Sequence, residues 1–264
     1  MSEIVIDVGK RHIKDINEEI QEACKQSIKT GNEIIVRNTL SRHNLGIGLP
    51  PGAKLRFEGS VGYYCGGLNT GSIIDIERNA GWGVGEAMSD GHITVCGYAG
   101  MSCGAAMLGG TIHVKGDTGP RCGVAMKGGN IVVEGKIGYQ SGFMAHAGKI
   151  IALGGAGESC ADALWQGEVW VAGEIGSLGV DVEVVEPTAE EVADVDIILD
   201  PLGLVDSTRN WRKMISGQRL WYFESRDASA WLMPARSSHW AARASPAPMP
   251  CGKAKSGWPA KSAA

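Results

Sequence analysis

The sequence contains no apolar run of about 18 residues, so no membrane-spanning helix is expected. Its opening, "MSEIVIDVGK", has no apolar h-region and carries acids early, which reads against a secretory signal. Basic charge is also short. The net charge is -4, and residues 234–264 hold five Lys/Arg and no acid, leaving -9 on residues 1–233. An acidic body lacks the basic face that nucleic-acid phosphates require. Seven cysteines, an odd number, in a chain without an export signal point to reduced thiols and a cytoplasmic setting. None has C-x-x-C spacing, so the sequence carries no structural zinc or iron-sulfur motif.

Glycine is what the chain has in excess: 39 residues, about twice the usual share of roughly 7%. Taken alone, the stretch "KGDTGPRCGVAMKGG" (115–129) has the composition of a phosphate cradle. A P-loop needs G-x-x-x-x-G-K-[ST] between a strand and a helix, but here Val124 follows Gly123 and Gly128 follows Lys127. These glycines belong to a repeat of 19 residues. "AKLRFEGSVGYYCGGLNTG" opens the series at Ala53, "GTIHVKGDTGPRCGVAMKG" is its fourth unit, and seven units reach Val185 without an insertion. A fixed period of this length marks a solenoid or array.

The columns of the repeat say what each position does. Gly62, Gly81, Gly100, Gly119, Gly138, Gly157 and Gly176 fill one column. Gly59, Gly97, Gly116, Gly135, Gly154 and Gly173 fill another, interrupted by Arg78. Both are expected where the backbone needs positive φ or a close approach. Before them run alternating apolar pairs such as Ile93 and Val95, or Ile112 and Val114, the pattern of a strand with one buried face. Each unit is therefore a coil of a parallel β-solenoid. At about 4.8 Å per layer, seven coils give a rod roughly 30 Å tall.

Residues 1–52 read as an N-terminal cap of strand, helix and strand. Ile13, Ile16, Ile20, Cys24 and Ile28 fall at helical spacing before Gly31, a natural C-cap. Residues 53–185 are the coils, and 186–233 form a helical C-terminal cap or interface segment. There Thr188 and Glu191 have capping-box spacing, with a further short helix expected around 210–215 and "RLWYF" as a strand. Residues 234–264, rich in Ala, Pro and Ser and without periodicity, read as a disordered tail.

Several candidate sites present themselves. Cys65, Cys103, Cys122 and Cys160 share one column with Val84, Ser141 and Gly179, which suits a small buried filler better than a metal or redox centre. Met88, Met107 and Met126 form a core ladder. His92, His113 and His146 occupy different columns and read as surface residues. Asp75, Glu77, Glu134, Glu168 and Glu174 are scattered, with no acid/base pair to pick out. Two places escape the coil logic. The polar turn with Asn38, Arg42, His43 and Asn44 either meets a partner or caps the stack. Trp211, Trp221, Tyr222, Phe223 and Trp231, interleaved with arginines, are either interface anchors or cap residues. No catalytic, cofactor-binding or metal-binding residue is assigned.

The pattern V-x-G-x-x-G-x-x-x-G-x-x-M-x-G-G-x-I-x-V-x-G, present at 95–116 and again at 114–135, resembles the glycine-rich C-terminal domain of the glutamate synthase large subunit. That resemblance implies an all-β fold, a right-handed parallel β-helix of about seven turns. One of the chains of formylmethanofuran dehydrogenase has a similar domain. The glutaminase domain of glutamate synthase begins with a cysteine nucleophile, whereas Ser2 follows Met1 here, and the length leaves no room for the FMN barrel. "VRNTLSRHNLGIGL" and "GQRLWYFESRDASAWLM" look similar to the stand-alone β-helix subunit of three-part glutamate synthase-like enzymes, including N-methylglutamate synthase. The resemblance implies a non-catalytic subunit between a glutaminase-like (class II amidotransferase) chain and an FMN chain, the latter with or without an iron-sulfur cluster. The alternatives are a formylmethanofuran dehydrogenase-type subunit and a stand-alone enzyme using the cysteine column.

Overall fold

A computed structural model describes residues 3–218. Its elements run β1 (Ile4–Asp7), α1 (Ile13–Thr30), β2 (Ile34–Arg37), β3 (Lys54–Phe57), β4 (Thr70–Ile76), β5 (Asp90–Val95), β6 (Thr111–Val114) and β7 (Lys127–Val133). They continue through β8 (Lys136–Ile137), β9 (Ala147–Ala152), β10 (Gly155–Ala156), β11 (Glu168–Val171), β12 (Glu174–Ile175), β13 (Val182–Val185), α2 (Ala189–Leu199) and β14 (Arg212–Ser216). The chain is an all-β right-handed β-helix of about seven coils.

The period of 19 appears directly as strand register. Ile93 faces Ile112, Ile131, Ile150 and Val169 in successive layers, and Val95 faces Val114, Val133, Ala152 and Val171. These inward columns are fully buried, together with the Cys and Met columns, in one continuous core. Stacking begins before the first 19-residue unit, because β2 pairs with β3 in parallel, Ile34 against Leu55, and β1 pairs with β2. A second, short ladder, β8–β10–β12, forms another side of the prism.

Of the two reasons expected for glycine, positive φ or close approach, the first column shows close approach. Gly81, Gly100, Gly119, Gly138, Gly157 and Gly176 have ordinary φ, and what they require is proximity. A methyl at Gly138 would lie 2.5 Å from the Gly119 carbonyl carbon and 2.7 Å from the Pro120 nitrogen. The left-handed column is a third one, Gly66, Gly85, Gly104, Gly123 and Gly142, with φ of 65° to 78°. Non-glycine residues flank it in the same conformation, including Ala106 (φ 52°), Arg121 (φ 59°) and Ala125 (φ 52°). The strain, on the order of 1 kcal/mol for each such residue, is offset by hydrogen bonds to both neighbouring layers. Gly104 N–H donates to Val84 O at 2.9 Å, and Ala106 N–H donates in the opposite direction to Val124 O at 2.8 Å.

The caps close the stack. α1 lays Ile16, Ile20, Ala23 and Cys24 over the first layers, and Gly31 ends it in the left-handed conformation, its N–H bonded to Ser27 O. Ile28 departs from the expected stripe at 46% exposed. At the other end, Thr188 and Glu191 form the expected capping box of α2. The segment expected as a short helix at 210–215 is instead β14, antiparallel to both β11 and β13. Met214 joins the core from β14 and faces Val169, so burial and edge pairing outweigh local propensity there. α2 and the following loop cover the outer face of the upper strands, where Val195, Leu199 and Trp211 pack on Val132, Ile151 and Trp170. "RLWYF" and residues 234–264 lie outside the described residues. No helix among those described is long and apolar enough to cross a membrane.

Candidate functional site

The cysteine column points inward. Cys65, Cys103, Cys122 and Cys160 are free thiols with no exposed surface. Burial pushes the Cys160 thiol up to about 12 and Cys65 higher still. A hydrogen bond with Cys122, with burial behind it, raises Cys103 well above the usual thiol range. Nucleophilic and metal-binding cysteines work as thiolates, and Cys65, Cys103 and Cys160 stay in the protonated form at neutral pH. Cys96, outside the column, is disulfide-bonded, so the expectation of reduced thiols holds for the column and for buried Cys24 but not for Cys96. No group of three or more His, Cys, Asp or Glu that could hold a metal ion occurs among the described residues.

Of His92, His113 and His146, only His146 is the exposed residue expected. His113 is 1% exposed on the outer face of β6, with Nε2 2.9 Å from Glu134 Oε1. The contact by itself favours a charged pair, but burial opposes charge on both groups. It lowers His113 to about 4, helped by Lys115, and raises Glu134. The neutral ring donates from Nε2, which leaves Nδ1 as an acceptor with no partner. His92, partly buried on β5, is likewise held down to about 4 by burial and by His113. Asp75 on β4 is raised by burial. The strip Asp75–His92–Thr94–His113–Glu134 thus brings together residues that the column reading kept apart.

Ionic networks bracket this strip. On the lower layers Arg56 reaches Glu77 at 3.0 Å, Glu33 at 3.4 Å and Glu58 at 3.6 Å. On the upper layers Lys213 lies 2.8 Å from Glu168 and 2.7 Å from Glu191, while Lys149 and the Trp170 Nε1–H also bond Glu168. This second network clamps β14 and α2 onto the coils. Trp211, read as cap or interface, is in the cap: it is 5% exposed and meets the Trp170 ring edge-on at 6.1 Å. Trp221, Tyr222 and Trp231 lie outside the described residues.

The polar turn before the first coil builds a different surface. Asn38, Leu40, Ser41 and Asn44 all have positive φ. The turn is fastened on both sides: Asn44 N–H donates to Tyr63 O at 2.7 Å, and Asn17 of α1 donates to Asn44 O at 2.7 Å. His43 accepts from the Tyr63 N–H at Nδ1 and stacks on the Tyr63 ring at 4.2 Å. Tyr63 in turn stacks on Trp82 at 4.8 Å with the rings 4° from parallel. All three rings are exposed, Trp82 by 50%. Arg42 and Asn44, read as interface residues, line a cleft beside this stack together with Lys10–Ile13. The stack escaped the sequence reading although Tyr63 and Trp82 share a column, because His43 lies one residue out of the 19-residue phase.

No family model matches the chain, and no curated protein matches it.

Proposed function

We propose that this chain is a β-helix subunit of a glutamate synthase-like complex, with N-methylglutamate synthase the best fit, and that it holds a glutaminase-like chain and an FMN chain in register. The observation that carries the reading is the agreement of several glycine, Met and strand columns in phase with the glutamate synthase pattern. The glycine columns correspond to layer contacts at backbone distance. A fully buried cysteine column, with Cys65, Cys103 and Cys160 held protonated, supports a scaffold over a cysteine-dependent enzyme. An exposed aromatic stack beside a cationic turn has the composition of a partner-binding surface. FMN, and any iron-sulfur cluster, would reside in the partner.

The test is isolation of the tagged chain from its native cells. Two larger chains carrying glutaminase-like and FMN-binding sequences, at fixed ratio and with a flavin spectrum, are expected. A monomer without companions contradicts the proposal, and a formylmethanofuran dehydrogenase assembly would favour that relative instead.

A further inference from the structure

The aromatic column at the corner of the solenoid runs upward from His43 through Tyr63 to Trp82, one ring per layer. The layer below His43 is supplied by the cap, because β1 stands to β2 as β2 stands to β3. There the chain after β1 turns into α1. The ring available in that layer, His12, is turned to cap the helix, its Nδ1 accepting from Lys14 N–H. The column therefore ends at His43 beside a cleft of about 490 Å³ between Lys10–Ile13 and Arg42–Asn44. That volume falls within the range of small-molecule sites.

The cleft is cationic in a body that is otherwise acidic. Arg11 is paired with Glu19, but Lys10 and Arg42 have no carboxylate partner among the described residues. Arg42 is held across the cleft by the Arg11 carbonyl, and its Nε is buried with no hydrogen-bond partner. The first turn of the 18-residue helix α1 adds its N-terminal dipole on the same side. The turn carrying Arg42 and His43 is fixed by bonds to α1 and to the first coil, so the cleft is preformed.

We propose that this cleft binds a phosphorylated planar ring, the chemistry of a nucleotide. The ring takes the next rung below His43, at the stacking distance its neighbours already show, and the phosphate lies among Lys10, Arg11 and Arg42. The proposal uses residues of this chain alone, although the stack beside the cleft is the surface that the subunit reading gives to a partner.

The experiment is isothermal titration of the full chain with AMP, adenosine and inorganic phosphate at about 0.15 M salt. AMP is expected to bind at least about tenfold more tightly than adenosine or phosphate, because each probe lacks one of the two contacts. Lys10→Ala, at an exposed position, and Arg42→Ala should each weaken AMP by about tenfold, and His43→Ala should bring AMP down toward phosphate. Unchanged thermal unfolding of Lys10→Ala separates loss of binding from loss of fold. AMP binding no tighter than phosphate, or AMP binding unaffected by Lys10→Ala and Arg42→Ala, overturns the proposal.

Discussion

A methyl group at residue 138 would meet three backbone atoms of the layer below, all within 2.7 Å. Backbone in a stacked layer cannot retreat without parting the sheet, so Gly138→Ala should cost several kcal/mol, of the order of an overpacked core. Gly31→Ala is the matched control: it sits at φ 73° with nothing within 4 Å of a new methyl, and should cost only about 1 kcal/mol. Urea unfolding of the two variants measures the difference. His113 makes a second residue-scale prediction. The unfolded chain takes up a proton near 6.5, whereas the folded chain resists until about 4. Between those values the unfolded state binds more protons, so stability is present above 6.5 and declines as pH falls. For a group this buried the decline is on the order of 3 kcal/mol. Asp75 and Glu134, raised by burial, act in the opposite sense as pH falls through their folded values. His113→Gln, which can still donate to Glu134, should flatten the pH dependence of Tm between 6.5 and 4. An unchanged slope would mean that the ring is charged in the folded protein.

At the scale of elements, the C-terminal cap depends on one ammonium group. Lys213, 7% exposed, is among the described residues the only cation shared by Glu168 of β11 and Glu191 of α2. Lys213→Met leaves Glu168 to Lys149 and the Trp170 N–H, and should cost roughly 3 kcal/mol. Amide exchange should quicken in β14 and α2 before it does in β5 or β6. The cysteine column is the contrasting case. Ser141 occupies it already, its Oγ–H donating to Gly138 O three residues back at 2.9 Å. Cys122→Ser can form the same bond to Gly119, and should cost about 1 kcal/mol without loss of complex activity. Inward strand columns were legible because alternation reports which face is buried. The outer face was not. α2 and the loop after it return over the sheet without any periodicity, and the burial of His113 on that face leaves no mark in its own column. β14 was missed for the same reason, since its strand state comes from pairing with β11 and β13.

Across the whole molecule, each coil has no core of its own and gains one by stacking, so the chain is a rod whose sides are available surface. Interior columns are filled by Ile, Val, Met and Cys, and chemistry-bearing residues appear on the outer face and at the His43 corner. The corner was half visible beforehand: Arg42, His43 and Asn44 stood out as a polar turn, but their meeting with Lys10 and Arg11 depends on β1 adding a layer below β2. Such a rod suits a part that fixes the spacing of larger chains. The most direct test is reconstitution of glutamine-dependent amino transfer from separately purified glutaminase-like and FMN chains, with and without this one. The account predicts that each partner keeps its partial reaction alone and that coupled transfer to a glutamate-type product appears only when this chain is added. Coupled transfer at the same rate in its absence would contradict the account.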